Sequence, residues 1–364
     1  MNIQDLDTPA LLVDLDIMER NLTRVADYTA KKNLRLRPHT KTHKIPALGR
    51  RQIELGAVGL TVAKVGEAEV MLGADPGDIL LAYPVFGKRK IERLMQVAKK
   101  VRVTVALDNM ICAHLLSEAA QAAGVTIGML AEAEVGLGRV GVNPGPELVE
   151  LAKSIDDLPA VTFEGIAFYA GHIHDLDGAG LRKIDELSST VQSMLSDLRH
   201  EGLEARVVSG GSTPTLFHSH HVRGMNEIRP GTYIFNDKNT ILSGACTIED
   251  CAASMLATVV STSRPGQMII DGGSKTFSSD RLVTGGEPSF GLMTDDPRAV
   301  FFNMNEEHGY IDIRKCEREF KIGDRVRIIP NHVCAAVNLH ENIYGIRGDQ
   351  VEQVWKVEAR GKLQ

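Results

Sequence analysis

The stretch Arg37-Pro-His-Thr-Lys-Thr-His-Lys44 packs two lysines, two histidines and two threonines behind the strand-like run Leu34–Arg37. Cationic neighbours favour the neutral form of an amine, which is the form that condenses with an aldehyde. Lys41, in a loop that also carries His39 and His43, is therefore a candidate nucleophile; a solvated basic turn is the plainer reading. In Phe168-Tyr-Ala-Gly-His-Ile-His174, Tyr169, His172 and His174 end another apolar run, and histidines that titrate near neutrality suit acid–base work. Arg139, set among glycines in Glu134-Val-Gly-Leu-Gly-Arg-Val-Gly141, offers a fork of donors to a carboxylate or phenolate, or else forms a surface ion pair. The glycines of Ser209-Gly-Gly-Ser-Thr-Pro-Thr215 let backbone N–H groups approach an anion, and the hydroxyls add donors. No GxxxxGK[ST] motif is present, so a ligand with a single phosphate suits this loop better than a nucleotide. His332 and Cys334 lie two apart after a strand-like run and, in extended geometry, point to one face. A thiolate with an imidazole suits Zn2+, with other divalent ions possible, although a buried cysteine is often only a small hydrophobe.

These residues need a scaffold that brings loop ends together. After a short strand at Leu11–Asp14, Met18, Leu22, Val25 and Ala26 share one face of an amphipathic helix, with Asp16 placed to cap it. Eight apolar runs then alternate with helical segments: Leu34–Arg37, Val58–Val62, Ile79–Ala82, Val101–Leu107, Val125–Leu130, Phe163–Tyr169, Ala205–Val208 and Ile228–Phe235. Such alternation predicts an α/β fold, a (β/α)8 TIM-like barrel over residues 10–242 whose chemistry lies at the C-terminal ends of the strands. Past Leu242 the pattern becomes β-rich, as in Met268–Asp271 and Arg325–Pro330, with a turn at Arg347-Gly-Asp349. Residues 1–9 and 243–364 are expected to form a mostly antiparallel β domain.

With 364 residues, 43% hydrophobic and 24% charged, the chain can bury a large core, and its net charge of -6 disfavours nucleic acid and anionic membrane as partners. A small molecule is the expected partner. Five cysteines without CxxC spacing give no disulfide framework, and no apolar stretch is long enough for a membrane span. With no basic leader at the N-terminus, a reducing, cytoplasmic location is expected.

Together, TPALLVDLD, Lys41, EVGLGRVGV, SGGSTPT and the β-rich tail resemble the fold-type III enzymes that use pyridoxal 5'-phosphate (PLP), of which alanine racemase is the best-known member. RPHTKTHK, EIRPGTYIFND, IDGGSKTFSSD, NEEHG and PNHVCAAVNLHE resemble, more closely, the D-threonine aldolase and D-serine dehydratase family, over residues 8–357. The resemblance implies that Lys41, with His39 beside it, carries PLP and that Arg139 approaches its phenolic oxygen. It further implies that Ser209, Gly210, Gly211, Ser212 and Thr213 hold the phosphate, that Tyr233 lines the same pocket, and that His332 and Cys334 bind a divalent metal (Zn, Mn or Mg). It implies a homodimeric lyase acting on a D-β-hydroxy-α-amino acid. Aldolases of the family tend to carry His-x-Asp at the metal pair, and His-x-Cys is more like the dehydratases. The FYAGHIHD loop matches neither group closely, and its Tyr169, His172 and His174 would offer the base that an aldolase needs. Retro-aldol cleavage of the D-threonine aldolase type is the favoured reading, with dehydration of D-serine or D-3-hydroxyaspartate as the alternative. A racemase or a non-catalytic PLP-binding protein stands behind both.

Overall fold

The computed structural model describes all residues except Asp175, Asp177 and 283–287. The chain divides into two compact units, one comprising residues 24–231 with 361–364, the other residues 1–23 with 232–360.

In chain order the first strands are β1 (Ala10–Asp14), β2 (Arg35–Leu36), β3 (Leu60–Val62), β4 (Asp78–Leu81), β5 (Arg102–Leu107), β6 (Ile127–Ala133), β7 (Val161–Phe168), β8 (Val207–Gly210) and β9 (Glu227–Ile228). All but β1 form one parallel sheet in the order β2-β9-β8-β7-β6-β5-β4-β3. Parallel strands covered on both faces need near-continuous apolar runs, and all seven residues of β6 are accordingly buried. The sheet curls until its ends meet: His39 bridges Thr61, the Thr61 N–H donates to Pro38 O at 2.8 Å, and the Thr40 N–H donates to Thr61 O at 2.9 Å. The eight expected strands thus close as a barrel. The intervening helices have the expected stops and starts. Asn109, for example, accepts the Cys112 N–H to cap Met110–Ala123, and Gly124 ends that helix at φ +67°.

The eighth run is shorter than Ile228–Phe235. Pro230 has no N–H to extend a ladder, and Thr232–Ile234 turns into a 3-10 segment instead. The carboxylate that caps the first helix (Leu15–Lys31) is Asp14, which accepts the Ile17 N–H at 3.0 Å, rather than Asp16.

The other unit adds β10 (Ala253–Ser261), β11 (Gln267–Ile270), β12 (Gly291–Met293), β13 (Val300–Met304), β14 (Gly309–Asp312), β15 (Arg325–Pro330), β16 (Asn342–Arg347) and β17 (Gln350–Lys356). Among the described residues every strand pairing in it is antiparallel except that of β1 with β16. Strand β1, which the sequence reading grouped with the barrel, lies between β10 and β16, where Leu11, Leu12 and Val13 are fully buried. The apolar run is the same for either destination; only the partners, more than 200 residues away, decide it.

Candidate active site

The polar knot separates into a buried scaffold and one exposed amine. Arg37 turns into the barrel, where Nε meets Glu227 Oε2 at 3.0 Å and Nη1 meets Asp78 Oδ1 at 2.9 Å. Thr40, Thr42, His43 and Lys44 are buried, and Lys44 Nζ pairs with Glu67 Oε1 at 3.2 Å. The His43 Nδ1 accepts the Ile45 N–H at 3.1 Å and Nε2 lies 3.3 Å from Gln52 Oε1, so this ring is structural rather than part of a shell around Lys41. Burial holds His43 neutral, its pKa lowered to about 4. His39 is also held neutral, well below its ordinary value, first by desolvation and then by the charges of Lys41 and Arg229. Within residues 40–44, Lys41 alone is exposed, at the C-terminal end of β2.

Beyond β6 and β7, Arg139 is exposed and its guanidinium carbon lies 5.0 Å from the centre of the Tyr169 ring. The Glu134 carboxylate accepts the N–H of Gly138 at 2.7 Å and of Gly136 at 2.8 Å, which holds its pKa down and fixes the glycine loop. Gly136, at φ +118°, leaves room for His172: a Cβ there would stand 2.9 Å from the imidazole Cε1. Among the described residues the His172 Nδ1 is buried with no hydrogen-bond partner, while His174 is exposed.

The SGGSTPT loop behaves unevenly. Ser209 is not a free donor, because its hydroxyl donates to Glu227 Oε1 at 2.8 Å and accepts from Arg229 Nη1. Gly210 is packed so tightly that a Cβ would lie 2.4 Å from the Phe168 ring. Gly211 turns the chain at φ +77°, and beyond it Ser212 Oγ lies 3.1 Å from Thr215 Oγ1. The Thr213 hydroxyl is buried without a partner among the described residues. A buried, uncommitted hydroxyl in a glycine turn and an exposed amine at the end of β2 are the groups that a phosphate-bearing aldehyde requires.

The sequence reading missed Arg229 and Glu132. Arg229 is buried, bonds the Phe168 carbonyl at 3.0 Å, and exerts its charge on His39, Glu132 and Tyr169. Burial raises the Glu132 pKa, and Arg229 and Arg139 oppose that rise. The signal for Arg229 in the sequence was a charge inside the otherwise apolar run Ile228–Phe235.

In the other unit Tyr233 is buried in the Thr232–Ile234 turn. His332 and Cys334 do not share an extended strand: His332 caps the short helix Val333–Val337. Asp237 imposes this turn, accepting the Val333 N–H on Oδ2 at 3.0 Å and the Thr240 N–H on Oδ1 at 2.9 Å. The two side chains are nevertheless hydrogen-bonded to each other, and His332 Nδ1 lies 3.5 Å from Asp237 Oδ2. Asp237 first, then Cys334, pushes the His332 pKa up to about 11. Among the described residues no group of three or more His, Cys, Asp or Glu is arranged to hold a metal ion, so His332 and Cys334 amount to a two-donor set. No helix among the described residues is long and apolar enough to cross a membrane.

A parallel barrel with a lysine after its first strand, joined to an antiparallel sheet unit, defines the alanine racemase-like class. Residues 13–239 match the family model described as "Alanine racemase, N-terminal domain", and residues 252–346 match "Putative serine dehydratase domain". The chain is 32% identical to 3-hydroxy-D-aspartate aldolase of Paracoccus denitrificans, over all of this chain and 94% of that one. It is 31% identical to D-threo-3-hydroxyaspartate dehydratase of Delftia sp. HT23, over 96% of this chain and 97% of that one. The solved structure of D-threonine aldolase from Filomicrobium marinum superposes with a TM-score of 0.92 at 33% identity, covering 99% of this chain and 98% of that one. The chain belongs to the fold-type III family of D-threonine aldolases and D-serine dehydratases; it is a lyase, and membership implies PLP.

Proposed function

We propose that this lyase cleaves a D-β-hydroxy-α-amino acid to glycine and an aldehyde, the retro-aldol reaction of a D-threonine aldolase. When bound, PLP withdraws electrons from the bonds at the substrate Cα, and the protein selects which bond breaks. In this reading Lys41 holds the cofactor, Arg139 approaches its phenolic oxygen, His39 lies beside Lys41, and Gly210, Gly211, Ser212 and Thr213 receive the phosphate. Ser209 acts from behind, by fixing Arg229. His332 and Cys334 would hold a divalent ion (Zn, Mn or Mg), which would supply Lewis acidity.

The observation that carries the aldolase reading is the buried His172 Nδ1, which no hydrogen bond from the described residues occupies. An uncommitted imidazole nitrogen can take the β-hydroxyl proton, with Tyr169 and His174 in support. The second reading, dehydration to a keto acid and ammonia, is favoured by the contact of Cys334 with His332, since a His-x-Cys pair resembles the dehydratases. There Lys41 takes the Cα proton instead.

Incubating the PLP- and metal-loaded protein with D-threonine and D-serine decides between them. Glycine and acetaldehyde from D-threonine, lost on His172→Ala, are the expected products; keto acid from both substrates with His172→Ala still active would overturn the aldolase. Lys41→Ala abolishes either reaction together with the absorption band of the bound cofactor, and excess chelator abolishes turnover. We further propose a homodimer, which sedimentation of the loaded protein tests.

A further inference from the structure

We infer that Lys64, seated on the ring of Tyr83, receives the α-carboxylate of the substrate and so fixes which bond at Cα is presented for cleavage. This role presupposes the reading above, in which an amino acid condenses with a cofactor held by Lys41.

The closure of the barrel sets Lys64 beside the Lys41 loop. All of the residues concerned belong to the unit that comprises residues 24–231 with 361–364. At the seam, Pro38–Thr40 runs alongside β3: His39 bridges Thr61, and the Thr40 N–H donates to Thr61 O at 2.9 Å. Lys41 follows Thr40 directly, and Lys64 stands just past Val62, the last residue of β3, so both lie at the C-terminal mouth. In an amino acid the carboxylate and the amine share one carbon, and neighbouring strands are only about 4.8 Å apart. A cation that meets the carboxylate must therefore rise beside the segment that holds the aldehyde, from β3 or from β9. Strand β9 leads into Arg229, whose guanidinium is committed to Ser209 and to the Phe168 carbonyl. Strand β3 leads into Lys64.

The surroundings of Lys64 hold its charge in place without neutralising it. It stands at the N-cap of the helix Val65–Met71 with no capping hydrogen bond from its side chain, and its Nζ lies 3.6 Å from the centre of the Tyr83 ring, beyond β4. The face of a ring attracts an ammonium but carries no net charge. Among the described residues this ammonium has no carboxylate partner. Glu67, on the same helix, is taken by Lys44 at 3.2 Å and by the Ala63 N–H at 2.7 Å, and Glu69 is taken by Arg93. Lys64 is half-buried and Tyr83 is 47% exposed, which leaves the cation within reach of a ligand. With its nitrogen joined near Lys41 and its carboxylate on Lys64, a substrate is held at two points. Rotation about its N–Cα bond then stops, and the direction of its side chain is set.

The test loads the full-length protein with PLP and titrates it with glycine and with glycinamide, following the absorption band of the bound cofactor. Neither ligand has a β-carbon to lose, so affinity is read without turnover. The parent should bind glycine more tightly than glycinamide. Lys64→Met should weaken glycine roughly 10-fold while leaving glycinamide within about twofold, and Lys64→Arg should restore most of the loss. Tyr83→Leu should weaken glycine roughly threefold. Equal losses for the two ligands in Lys64→Met, an unchanged glycine affinity in that variant, or a glycine affinity in Tyr83→Leu equal to that of the parent would each overturn the inference. A Lys64-dependent preference for glycine in a protein that cleaves neither D-threonine nor D-serine would uphold the carboxylate site and overturn the function proposed above. Cleavage of D-threonine without that preference would do the reverse.

Discussion

At the scale of single residues, the polar knot was legible as chemistry only in part. Lys41 stands out in the sequence because a strand ends there in charge, and it is indeed the exposed member. What could not be read locally is that His43 and Lys44 are committed inward, since Gln52, Ile45 and Glu67 come from elements downstream. The commitment of His43 has a measurable cost in acid. Its folded pKa of about 4 lies below the usual 6.5, so the unfolded chain binds the proton first and stability is lost as pH falls from 6.5 through 4. The loss from this ring amounts to roughly 3 kcal/mol, and urea unfolding between pH 7.5 and 4.5 should show the slope flattened in His43→Gln. Ser209 makes the complementary case. Its type and loop suggested a phosphate donor, yet Glu227 and Arg229 occupy it. Ser209→Ala should lower unfolding stability by about 1–3 kcal/mol while leaving PLP affinity within about twofold. Thr213→Val should do the reverse, weakening PLP binding about tenfold, the effect of losing one hydrogen bond to a charged group; equilibrium dialysis distinguishes the two.

At the scale of elements, strands were easier to read than their ends. Runs such as Val101–Leu107 and Arg325–Pro330 announce themselves by composition, and strands form at Arg102–Leu107 and Arg325–Pro330. The failures are at Thr232–Ile234 and Val333–Val337, where apolar residues continue but the backbone turns. In the first, proline withholds a donor; in the second, Asp237, almost a hundred residues earlier, captures the Val333 N–H. That carboxylate therefore belongs to two elements at once, capping Lys238–Leu242 and seating the helix that carries Cys334. Asp237→Ala should cost about 2 kcal/mol or more, and Asp237→Asn should recover part of it in thermal unfolding. Equal stability of the alanine variant and the parent would show that the turn at His332 is held by something else.

At the scale of the whole molecule, the alternation of strands and helices sufficed to predict the barrel, because eight such units admit few topologies. Membership of β1 was not legible, because its neighbours β10 and β16 lie at the other end of the chain. A fragment ending at residue 242 keeps every barrel strand but removes both of those neighbours. It should be recovered mainly as aggregate, whereas the full chain is not; light scattering of the two after identical refolding checks this. The same connectivity governs how the protein is made. Synthesis proceeds at about 5–20 residues per second, so tens of seconds separate the emergence of Ala10–Asp14 from that of Ala253–Ser261. Throughout that interval the five residues of β1 wait without a strand partner, and the last barrel strand, Glu227–Ile228, emerges only shortly before Ala253–Ser261. The nascent chain is accordingly a natural client for a holdase, and slowing translation should lower its yield more than that of barrels whose leading strand pairs with the next one made.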